Sequence, residues 1–154
     1  MRTHFLPTQS QGAGPAAVRP ARSRRDRLAG VLLGAGALLL PVAMFLPWYR
    51  HADGGTLSAW GGYWFVVTGM LLLFLVAAAL ALGVLTGRPW RGPAMPAVIG
   101  FAFLVTITVV TALFIARPGG NAGTAVAFGG YVALAAIGTI KGGAILTASN
   151  ARRR

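Results

Sequence analysis

LPWYRHADGGTLSAWGGYW, Leu46 to Trp64, is the stretch that decides the fold: a polar, aromatic island with a long apolar run on either side. It holds three of the four tryptophans, two of the three tyrosines, one of the two aspartates and one of the two histidines. The flanking runs are long enough to cross a bilayer, which takes roughly 20 residues. The island therefore reads as a wet loop between two membrane spans.

Composition points the same way. The 154-residue chain is 56% hydrophobic and only 10% charged, whereas a globular domain carries about 25% charged residues. The net charge of +12 would indicate nucleic acid in a soluble protein. Here no basic face is interleaved with stacking aromatics, and the arginines sit where membrane topology puts them. Anionic lipid headgroups are the expected partner, at about 1 kcal/mol per juxtamembrane Lys or Arg. The absence of cysteine removes disulfides, thiolate metal sites and thiol nucleophiles together.

Outward from the island, the sequence predicts an all-α fold, an antiparallel four-helix transmembrane bundle. Span one covers about 28–46, with a small-residue step at Gly30 and Gly34 that admits a close neighbour. Pro41 is expected to kink it and Pro47 to help end it. Span two covers about 63–85, carries no charge, and is followed by a short turn with Arg88, Trp90 and Arg91. Span three, about 94–116, bears Thr106, Thr108 and Thr111, each expected to donate to the carbonyl four residues back. Thr108 and Thr111 share a face and Thr106 lies ~200° from Thr108, so a polar path along Thr108, Thr111 and Lys141 is the minority reading. RPGGNAG, Arg117 to Gly123, closes an outer turn. Span four, about 124–147, repeats small-xxx-small steps at Gly129 and at Gly138 with Gly142, and is expected to be the most closely packed helix. Lys141 is the sole charge inside a span. Its expected position near the inner end lets its stem snorkel to the headgroups.

Residues 1–27 form a basic tail with too few large apolar groups to order itself, and residues 148–154 form a second basic tail. SRRDRL, Ser23 to Leu28, partly resembles a twin-arginine export signal, with Arg27 where that signal prefers a large apolar residue. More spans follow rather than an exported domain, so an uncleaved first helix is the expectation. Of the basic residues, 12 fall on one side of this topology and only Arg50 and Arg117 on the other. Both termini are then cytoplasmic and the protein is a multi-pass protein of the cell membrane.

Catalytic groups are scarce. The sequence contains no glutamate, and Asp26 and Asp53 fall on opposite sides of the membrane, which leaves no carboxylate pair. His51, Asp53 and Ser58 share a loop without a framework to hold a nucleophile. One His and one Asp leave a tetrahedral metal shell at least two ligands short. No catalytic, cofactor-binding or metal residues are assigned. The aromatics Trp48, Tyr49, Trp60 and Trp64 carry the stronger signal: an interfacial belt, or an outer patch for a lipid tail, a sugar or a partner protein. If helix begins near Leu57, Trp60 and Trp64 stack on one face.

LPWY at Leu46–Tyr49, followed by LSAWGGYW at Leu57–Trp64, resembles a pattern in small four-span membrane proteins of high-GC actinobacteria, most of them uncharacterised. The resemblance covers the first two spans and implies topology. The expected function is a non-enzymatic accessory or scaffold protein, acting through helix–helix association as a homo-oligomer or with a partner membrane protein. The alternative is a small transporter or oligomeric channel for a small or amphipathic solute.

Overall fold

A computed structural model describes residues 24–87, 94–116 and 124–151. Residues 1–23, 88–93, 117–123 and 152–154 lie outside the described residues; residues 24–27 and 148–151, expected to belong to the basic tails, are instead helical. The elements in order are α1 (Arg24–Phe45), β1 (Pro47–His51), β2 (Thr56–Ser58), a short α2 (Ala59–Gly62), α3 (Trp64–Thr86), α4 (Ala94–Phe114), β3 (Thr124–Val126) and α5 (Phe128–Ala151). Four of these helices, α1, α3, α4 and α5, are long and apolar enough to cross a membrane. The chain is thus a multi-pass membrane protein built as a four-helix transmembrane bundle with a small sheet at one end.

Each long helix is apolar around most of its circumference, as a span in hydrocarbon must be. Large residues such as Leu38, Leu75, Leu82 and Ile107 point outward, and small or closely fitted ones point inward. Around the bundle the order is α1, α3, α4, α5, with the first and last helices in contact. By the share of the apolar stretch that is buried, α1 leads with 44%, against 39% for α3, 33% for α5 and 28% for α4. α1 and α5 approach each other closely at two glycines outside the expected small-residue steps. A Cβ on Gly36 would come 2.6 Å from Ile140 and 2.8 Å from the Ala136 carbonyl, and one on Gly143 would come 2.8 Å from Leu33. The backbones of α1 and α5 therefore cross with nothing between them, the arrangement small residues permit in membranes.

The sheet is where sequence and structure part. Residues 46–62 were read as a glycine-hinged loop and Thr124 as the start of span four. Instead β1 pairs antiparallel with β2 on one side and with β3 on the other, in the order β2-β1-β3. Span four accordingly begins four residues later, at Phe128. The local signal for the hairpin is Asp53-Gly54, a turn dipeptide between strand-forming residues. Gly54 adopts φ 86°, His51 N–H donates to Gly55 O at 2.8 Å, and Asp53 Oδ1 accepts from Gly55 N–H at 2.9 Å. β3 has no comparable local signal, since it exists only because β1 offers it an edge. Tyr49, Arg50 and His51 face Val126, Ala125 and Thr124 respectively.

Candidate functional site

The sheet end of the bundle is organised by Pro47, Trp48 and Tyr49. Pro47 has no N–H, so the Ala43 carbonyl at the end of α1 lacks its usual donor four residues on. The Trp48 indole supplies one: Nε1–H donates to Ala43 O at 2.7 Å. In α4, Ala116 N–H reaches back to Thr111 O rather than to Ala112 O, and the Tyr49 hydroxyl donates to the freed Ala112 carbonyl. Two neighbouring strand residues can both point into the bundle because the β1–β2 register slips between Pro47 and Tyr49. Trp48 is the extra residue of this bulge. Both side chains are 1% exposed, and Trp48 O accepts from Ala127 N–H at 2.7 Å. LPWY is thus a clasp that caps α1 and α4 and receives the entry to α5. Gly129 makes that entry possible, since a Cβ there would stand 2.7 Å from the Pro47 carbonyl.

The four aromatics grouped as one outer patch therefore separate. Trp48 and Tyr49 are core residues, unavailable to a ligand, whereas Trp60 and Trp64 are exposed. Nor do Trp60 and Trp64 stack on one helix face. Tyr63, extended at φ −145° and ψ 92°, ends α2 and begins α3 between them. Trp60 lies 6.0 Å from the Phe45 ring, and Trp64 meets Phe65 edge-on. With exposed Phe114, Phe128 and Tyr131, every long helix contributes an aromatic at this end, the distribution of an interfacial girdle.

His51, Asp53 and Ser58 do not converge. Ser58 pairs across from Pro47 at the near end of β1 and His51 sits at the far end, four strand positions or ~13 Å away. Among the described residues no group of three or more His, Asp or Glu side chains is positioned to hold a metal ion.

The second cluster lies about midway along α4 and α5. α5 extends to Ala151, so Lys141 is ten residues from its C-terminal end (141 to 151), ~15 Å along the helix at 1.5 Å per residue. Its side chain turns sideways towards α4. Its Nζ donates to Thr106 Oγ1 at 3.1 Å and stands 4.4 Å from the centroid of the Phe103 ring. Thr106 can accept because its own proton goes to Ala102 O at 2.7 Å. A cation over an aromatic face contributes ~2 kcal/mol when desolvated.

Thr106 and Phe103 were not singled out as partners of Lys141, although their three-residue spacing puts them on one face of α4. Thr108 back-bonds to Leu104 O as expected, but lines a different place. It borders a groove of about 180 Å³ between α3 and α4 with Phe65, Val66, Gly69, Phe101, Leu104 and Val105. Thr111 is exposed. The polar path drawn through Thr108, Thr111 and Lys141 is thus not continuous.

Of the packing glycines, Gly30 lies against Val84 and Leu85 and Gly34 more loosely against Ala81, while Gly129 serves the clasp. Gly138 and Gly142 meet nothing within 4 Å; their step faces out of the bundle. At the end opposite the sheet, Asn150 Nδ2 donates to Asp26 Oδ1 at 3.1 Å, tying the last turn of α5 to the first turn of α1.

Compared with models of protein families, with curated proteins and with solved structures, the chain has no match.

Proposed function

We propose that this is a non-enzymatic accessory or scaffold protein of the cell membrane, which associates through its helices with copies of itself or with a partner membrane protein. The observation that carries this reading is the outward face of α5. Gly138 and Gly142 present bare backbone to the surroundings, whereas Gly30, Gly36, Gly129 and Gly143 are spent on contacts inside the bundle. A small-xxx-small step facing lipid is the feature by which helices approach closely in membranes. The distribution of basic residues supports both termini in the cytoplasm, with the sheet outside.

The test is a photoreactive p-benzoylphenylalanine at Ile145, an exposed residue of α5, irradiated in native membranes. A cross-linked species is expected from Ile145 and none from the same probe at exposed Leu75 on α3. Recovery of monomer alone from Ile145 would sink the reading.

A further inference from the structure

We propose that the α4/α5 seam at Lys141 is the docking site for a transmembrane helix of another protein that carries an Asp or Glu at the level of Lys141. This rests on the association reading above and names the chemistry of the partner.

Lys141 is half-buried. Its ammonium has three protons to donate, and within the described residues its contacts are the Thr106 hydroxyl and the Phe103 ring. Neither neutralises the charge. The sequence has two acidic residues: Asp26 in the first turn of α1 and Asp53 in the hairpin at the opposite end. A charged side chain within a span is costly and is characteristically paired.

The surface beside it is shaped for an approach. Gly138 and Gly142, three residues before and one after Lys141, leave open space where side chains would stand, and Phe103 is half exposed at the same level. A partner backbone can close on the glycines and bring a carboxylate to the ammonium. A second copy of this chain does not fit that role, because the carboxylate of its spanning helices, Asp26, sits in the first turn of α1 and accepts from Asn150, and its α5 would bring another ammonium to the seam.

The test uses the full chain in phosphatidylcholine vesicles and, as probe, a fluorescent Leu/Ala transmembrane helix of about 20 residues with a central Glu, Gln or Leu. Energy transfer from the labelled protein reports association. The Glu helix should bind about tenfold more tightly than the Leu helix, within the range for an interhelical polar contact in model peptides. Lys141→Met should erase the preference for the Glu helix while leaving binding of the Leu helix unchanged, and Lys141→Glu should redirect the preference to a helix with a central Lys.

Equal binding of the three helices, or a Glu preference that survives Lys141→Met, overturns the proposal. So does Lys141-dependent uptake of palmitate without a preference among the helices, which would make the occupant a lipid carboxylate. Charge-independent binding that is lost in Gly138→Leu would overturn it while leaving the association reading intact. That reading is judged separately by the Ile145 cross-link.

Discussion

At the level of single residues, the informative contrast is among the tryptophans. Trp48→Phe removes the donor to Ala43 O where Pro47 supplies none. A buried acceptor left unmet costs about 1–3 kcal/mol, and unfolding in detergent should register that loss. Trp60→Phe and Trp64→Phe, at exposed positions, should change stability by less than about 0.5 kcal/mol. Equal losses from all three would contradict the capping role. Tyr49→Phe should resemble Trp48→Phe, because it deprives the Ala112 carbonyl of its hydroxyl. The sequence marked these aromatics as important but did not separate them. Burial of Trp48 and Tyr49 depends on a bulge and on pairing with β3, a segment 75 residues beyond Tyr49 (49 to 124), and neither leaves a periodic trace near residue 48.

For the helices, legibility followed apolarity. Spans predicted at 63–85 and 94–116 correspond to α3 at Trp64–Thr86 and α4 at Ala94–Phe114. Hydrocarbon length sets such limits locally, so they can be read without knowing neighbours. Which glycines face which helix is a property of pairs and was only partly legible: Gly30 packs internally, but Gly138 and Gly142 do not, and Gly36 and Gly143 went unnoticed. The difference can be measured. Gly36→Ala, whose Cβ would meet the Ala136 backbone at 2.8 Å, should destabilise the bundle by about 1–3 kcal/mol through overpacking. Gly138→Ala should leave monomer unfolding within about 0.5 kcal/mol of the parent, because the added methyl meets open space. A comparable loss from both would refute the assignment of faces.

At the scale of the whole molecule, the sheet marks one end and the Asp26–Asn150 hydrogen bond the other. The absence of cysteine makes sidedness simple to measure. A single cysteine replacing exposed Ala52 should react with an impermeant maleimide on intact cells, and one replacing Ser149 should react only after permeabilisation. The reverse pattern would invert the topology. Transport makes a separate demand. With Thr108 and Lys141 on different sides of α4, reconstituted protein should give no solute flux above empty liposomes. Flux that Lys141→Ala abolished would restore the channel alternative.

The clasp also sets a timetable. β1 leaves the ribosome with α1, but the Ala112 carbonyl that Tyr49 engages belongs to the third span and the β3 edge precedes the fourth. Until those spans are inserted, the Tyr49 hydroxyl lacks that acceptor and β1 has an unpaired edge, open to mispairing. Completion of the sheet end therefore waits until β3 has been made. A chain interrupted after α3 would display an unfinished strand at the membrane surface, a mark by which quality-control proteases can tell it from the finished protein.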